Sequence, residues 1–222
     1  MNVFIVYAHH DPSSFTAAMK NTAMDVLAHQ GHSVTVTDLY GLGFNAAAQK
    51  WDFVATSGGH FNYMMEQKHA AKLDMAFSPD IKAEIDKLRS SELLIIVTPI
   101  WWSSVPAIMK GWFDRVLAMG VAWDGGQIYQ NGLMRGRQAI LVGAAGHPEE
   151  YYHHDNLHQA NLTQMLHHIN HGTLGFCGFS VHEPFFAQNV LGMAQPELEQ
   201  ILTDLRFRLE HIVDSPQWLI NY

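Results

Sequence analysis

Short, nearly unbroken apolar runs, set apart by stretches of helical periodicity, constrain this chain most. They fall at residues 2–8, 33–37, 93–98, 139–144 and 179–182. Runs of that length suit strands buried on both faces of a parallel sheet. Phe15, Ala18, Met19, Val26 and Leu27 recur at helical spacing behind Ser14, a suitable N-cap. Ile81, Ile85 and Leu88 mark a second helix with Pro79 in its first turn. Ile108, Trp112, Val116 and Leu117 mark a third, residues 157–176 a fourth and residues 198–212 a fifth. A parallel crossover needs a covering helix, so the alternation predicts a doubly wound five-stranded parallel sheet, order 2-1-3-4-5, with helices on both faces.

The chain of 222 residues is expected to form one domain over 1–222, without repeats or a linker. Two connections are unusual. Residues 39–78 exceed the usual span of about 2–6 residues and hold a short helix around 64–73. Residues 121–132 contain Gly125-Gly126 and read as a hairpin or lid. A hydrophobic share of 48% permits a sizeable core. The formal charge of -8 opposes a nucleic-acid surface. Cys177, the single cysteine, leaves no intrachain disulfide and is compatible with a reducing compartment. The apolar start lacks a basic segment and reads as a strand, not a signal peptide. No run approaches the ~20 residues needed to span a bilayer. The expected location is the cytoplasm, with no membrane insertion.

In such sheets ligands bind beyond the strands' carboxyl ends, near the switch point. Three loops therefore matter. The first runs His9-His10-Asp11-Pro12-Ser13-Ser14-Phe15-Thr16. Its hydroxyls and the free N–H groups of a helix start make an anion site, or an ordinary cap. No phosphate-loop lysine and no G-x-G-x-x-G is present, which disfavours a P-loop ATPase or a dinucleotide fingerprint. The second loop, Pro99-Ile100-Trp101-Trp102-Ser103-Ser104, places tryptophans at the open sheet end, where a flat ligand, the core or a subunit interface must cover them. The third runs from Ala144 through Ala145, Gly146 and His147 to Tyr152 and His158.

Three segments, YAHHDPSSFTAAMK, SPDIKAEIDKLRSSELLIIVTPIWWSSVPAIMKGWFDRV and GFCGFSVHEP, resemble the NAD(P)H:quinone oxidoreductases of the DT-diaphorase type, within the flavodoxin-like group. The resemblance implies a homodimer with one FAD per site, sites at the dimer interface, NAD(P)H as co-substrate and a small quinone-like acceptor. The two half-reactions then alternate in one pocket. By the same resemblance His9, Ser14, Phe15 and Thr16 hold the diphosphate side, with Thr16 where the family usually has Asn. Pro99, Ile100, Trp101, Trp102 and Ser103 line the flavin, Trp101 in place of a Gln and Ser103 in place of a Phe. Asn62 stands where a Gln reaches the cofactor. Ala144 and Ala145 replace threonines, leaving backbone N–H contacts from Ala145 and Gly146.

Tyr152 and His158 match the spacing of a Tyr and a His in these reductases. Hydride transfer leaves charge at the ring's polar edge, and a donor pair there stabilises it or relays a proton. Trp123, Phe176 and Phe179 are the expected walls of the acceptor pocket. An FMN-dependent azo- or nitroreductase is the nearest alternative, and the length of the 39–78 connection favours FAD over FMN. A flavin-binding ancillary subunit of a potassium-efflux transporter is the non-enzymatic alternative. His167 and His171, and His154 and His158, repeat a four-residue spacing without an accompanying carboxylate motif, so no metal site is expected.

Overall fold

The computed structural model describes residues 1–153 and 155–212. The five apolar runs become strands β1 (Asn2–Tyr7), β2 (Ser33–Asp38), β3 (Leu93–Pro99), β4 (Gln138–Ala144) and β5 (Ser180–Val181), and a sixth strand outside them, β6 (Phe185–Ala187), follows. The helices are α1 (Phe15–His29), α2 (Tyr63–Lys72), α3 (Pro79–Ser90), α4 (Ala107–Val116), α5 (Leu162–Met165), α6 (His167–Ile169) and α7 (Gln195–Glu210). All strand pairs are parallel and the order β2-β1-β3-β4-β5 is the expected one. The last position is shared. β5 pairs with Gln138 and Ala139, and β6 pairs with Val142 through Ala144 further along the same strand. Pro184 lies between the two segments; without an N–H it cannot continue a ladder.

Side-chain alternation along the strands separates two cores. Val3, Ile5, Tyr7, Ile95, Val97, Ile140 and Val142 pack against Met19, Ala23 and Leu27 of α1 and Leu205 and Leu209 of α7. Phe4, Val6, Leu94, Ile96 and Leu141 pack against Ile81, Ile85 and Leu88 of α3 and Met109, Trp112 and Val116 of α4. Both faces are thus covered, as the unbroken apolar runs require. Ser14 caps α1 by accepting the Ala17 N–H at 3.2 Å.

The expected fourth helix over 157–176 is shorter and broken. Asn161 accepts the Gln164 N–H at 2.8 Å and Gln164 accepts the Asn161 N–H at 3.0 Å, a reciprocal cap that sets the start at Leu162. After α6 the chain widens into a π-helical segment, Asn170–Gly175, where the Thr173 hydroxyl donates to the His168 carbonyl at 2.9 Å.

The long connection after β2 is held by an ion cluster that its sequence did not announce. Arg115 of α4 donates from Nη2 to Asp52 Oδ1 at 2.8 Å and from Nε to Asp52 Oδ2 at 3.1 Å. It also reaches Asp80 at 3.0 Å and the Asn45 carbonyl at 2.8 Å. The Tyr63 hydroxyl donates to Asp52 at 2.6 Å, and burial together with that carboxylate drives its pKa far upward. Gly111 lets this connection lie directly on α4: a Cβ there would stand 2.2 Å from the Ala46 carbonyl oxygen. Residues 121–132 form a tight turn at Asp124–Gln127, with Gly126 at φ +78°, and Lys68 of α2 ties it down through Asp124 at 2.6 Å. Among the described residues no helix is long and apolar enough to cross a membrane.

Candidate active site

A cavity of about 500 Å³ opens beyond the carboxyl ends of β1, β3 and β4. Its first wall is the loop after β1 and the start of α1: His9, Asp11, Ser14, Phe15 and Thr16. The N–H groups of Phe15 and Thr16 occupy the first helical positions, where no carbonyl of the helix reaches them. Burial, and then the neighbouring His10, lower the pKa of His9. The ring is therefore neutral at neutral pH. Its Nδ1 lies 3.0 Å from the Asp11 nitrogen and 3.2 Å from the Asp11 carbonyl oxygen, which anchors the ring to its own loop. Asp11 is turned to its own loop, accepting the Ser13 N–H at 2.8 Å and the Ser13 hydroxyl at 2.7 Å, and these bonds lower its pKa.

The second wall is Pro99, Ile100 and Trp101. Trp101 and Ser104 exchange backbone hydrogen bonds at 3.0 Å, which closes a two-residue turn with Trp102 and Ser103 at its tip. Both tip residues have left-handed backbones, φ +52° and +57°, a conformation costly for non-glycine residues. Trp102 is 100% exposed and, like Ser103, does not line the cavity. The tryptophan that faces it is Trp101. Reversal of the chain at the turn points consecutive side chains in different directions.

The third wall is Ala144, Gly146, His147 and Tyr152. Tyr152 is buried, and burial raises its pKa. His158 is exposed and lies outside the lining, its ring stacked on Tyr152 at 4.9 Å with planes 8° apart. Ala145 does not supply the free N–H expected of it. That group donates to the Ala187 carbonyl at 2.8 Å, because pairing with β6 continues past the end of β4. Val190 and Leu191, which follow β6, complete the cavity and were missed in the sequence. The signal was the short run after Pro184, which brings the chain back beside β4.

Asn62 is set apart from this cavity. It caps α2, accepting the Met65 N–H at 3.2 Å. Trp123 and Phe176 do come together, edge to face at 5.4 Å, but in a second cleft of about 430 Å³ with Tyr63, Gln67 and Phe113. Phe179 is 4% exposed and belongs to the core under β4, so it lines neither. Cys177 is buried and its thiol is pushed up to about 12, so it offers no thiolate. His167 and His171 stack at 4.8 Å; His154 lies outside the described residues.

The cavity has the volume of a small-molecule site, roughly 300–1,000 Å³. It joins apolar faces to N–H donors at a helix start and a buried hydroxyl. That donor set fits a planar ring with a polar edge and a phosphate-bearing tail, as a flavin has. A family model described as flavodoxin-like fold matches residues 1–209. The human ribosyldihydronicotinamide dehydrogenase [quinone] is 41% identical over 184 residues, 82% of this chain and 79% of that one. The Cavia porcellus NAD(P)H dehydrogenase [quinone] 1 is 35% identical over 214 residues, 95% of this chain and 77% of that one. The crystal structure of a candidate quinone reductase from Klebsiella pneumoniae superposes with a TM-score of 0.91 at 32% identity, covering 98% of this chain and 86% of that one. With the sheet order, the cavity and these matches in agreement, the chain belongs to the flavodoxin-like family that includes the NAD(P)H and ribosyldihydronicotinamide quinone dehydrogenases.

Proposed function

We propose that the chain is a flavin-dependent NAD(P)H:quinone reductase that binds FAD and acts as a single-domain homodimer in the cytoplasm. One observation carries the reading: donors at the start of α1, an apolar wall after β3 and a buried tyrosine hydroxyl after β4 converge on one cavity. The bound flavin supplies a two-electron relay, so a nicotinamide and a small quinone-like acceptor use the same face in turn.

The chain's own residues bind, orient and exclude water. His9, Ser14, Phe15 and Thr16 hold the phosphates through N–H and hydroxyl donors, since a helix start favours anions. Pro99, Ile100 and Trp101 shield the ring, and the backbone of Gly146 meets its polar edge. Tyr152 stays protonated at neutral pH because burial raises its pKa, and so serves as a fixed donor where charge accumulates. His158, stacked behind it, connects that donor to solvent. Trp123 and Phe176 supply an acceptor wall to the partner subunit's site. The exposure of Trp102, at 100%, and of Met64 and Met65, at 51% and 53%, supports a covering partner.

The cofactor released by denaturing the purified protein, identified by mass, tests the reading. FAD is expected in stoichiometric amount, together with quinone-dependent oxidation of NADH or NADPH. Release of FMN alone would transfer the chain to the FMN reductases of this fold. Failure to retain either flavin after reconstitution would end the proposal.

A further inference from the structure

We propose that His147 is a second imidazole of the active site, meeting the bound ligands directly and exchanging protons with solvent. The inference rests on the flavin reading above and adds a residue to it.

Position carries the argument first. His147 lines the cavity in the same wall as Tyr152, and His158 does not. The imidazole that the spacing pattern marked is thus one layer behind the one that faces the ligand. The His147 ring is 6.3 Å from that of His158, tilted by 56°, a gap that a bridging water can span. It also meets Tyr151 edge-on, at 5.4 Å and 87°. Its backbone is anchored, because its carbonyl accepts the Asn189 N–H at 2.8 Å and Pro148 follows it directly. His147 is exposed, so the arrangement is a ring anchored at the cavity wall and open to solvent, with the equally exposed His158 ring beside it.

Chemistry carries it further. A phenol deep in a wall is a good donor and a poor proton source at neutral pH, whereas an imidazole exchanges protons there. Tyr152 therefore orients and stabilises, and His147 supplies the proton. Over one turnover the acceptor gains a hydride equivalent, both electrons included, from the nicotinamide, which leaves oxidised. It also gains one proton. The N–H bond of a His147 imidazolium breaks, an O–H bond forms on the acceptor, and solvent returns the proton to the exposed ring. The other ionisable groups around His147 are Tyr151 and Tyr152, Glu149 and Glu150 in the same turn, and His9 and Asp11 on the facing wall.

The test compares FAD-loaded wild type, His147→Gln, His147→Ala and Tyr152→Phe. Two quantities are followed from about pH 5 to 9: the midpoint potential of the bound flavin, and kcat and KM for the acceptor. In wild type the potential should show a break in slope within this range. Both His147 variants should lose that break, with kcat reduced about 10- to 100-fold and KM for the acceptor within about twofold. A break and a kcat that persist in both variants would overturn the proposal. If Tyr152→Phe then still shifts the potential, the flavin reading stands and only the assignment of His147 fails. A wild-type protein that retains no flavin removes both.

Discussion

Trp102 and Ser103 hold consecutive left-handed backbones at the tip of the loop after β3. Each such non-glycine residue costs roughly 1–2 kcal/mol, because Cβ crowds the following carbonyl. Trp102 is 100% exposed, so nothing in the single chain repays that cost. Trp102→Gly should therefore stabilise the flavin-free monomer by up to about 1 kcal/mol, after allowing for the greater freedom of glycine in the unfolded chain. The urea midpoint of dilute apoprotein reads this out. A fall in the midpoint would show that the indole packs against something in solution. Single residues also mark where spacing and position diverge. Tyr152 lines the cavity, whereas Ala145 has its N–H taken by β6 and Phe179 is absorbed by the core.

At the level of elements, the Arg115 cluster does the most to hold the long connection in place. Arg115 and Asp52 are 2% and 0% exposed, and their contacts join α4, the connection and the start of α3. Arg115→Met should cost about 3–5 kcal/mol in urea unfolding, because it strands the Asp52 carboxylate without its counter-charge. Adding Asp52→Leu should recover much of that loss, since the stranded charge is then gone. The exposed pair Lys110–Asp114 on the same helix provides the contrast, and Lys110→Ala should cost under about 1 kcal/mol. Elements also show how far local pattern reaches. Helix starts were legible where a cap or a proline marks them, as at Ser14 and Pro79. The fourth helix was misjudged because apolar spacing continues through residues whose backbone widens into a π-helical turn.

For the whole molecule, the cavity draws its walls from four separate connections, and a ligand filling it should stabilise them together. At a flavin concentration a hundredfold above Kd the linkage is about 2.7 kcal/mol. For a chain of this size that corresponds to a rise in Tm on the order of 5–10 °C, checked by calorimetry with and without FAD. No shift with either flavin would argue that the cavity is not the binding site. The apolar runs, read alone, determined β1 to β5, their parallel arrangement and the loops at their carboxyl ends, because a strand buried on both faces must be apolar throughout, while β6 lay outside them. The order of the sheet followed from the need for covering crossovers. Tertiary structure decided the rest. It brought Val190 and Leu191 beside β4, set Trp101 inward and Trp102 outward, joined Arg115 to Asp52 across 63 positions, and put His147 ahead of His158. Those outcomes depend on where separate segments meet in space, and side-chain periodicity within one segment carries no record of its distant neighbours.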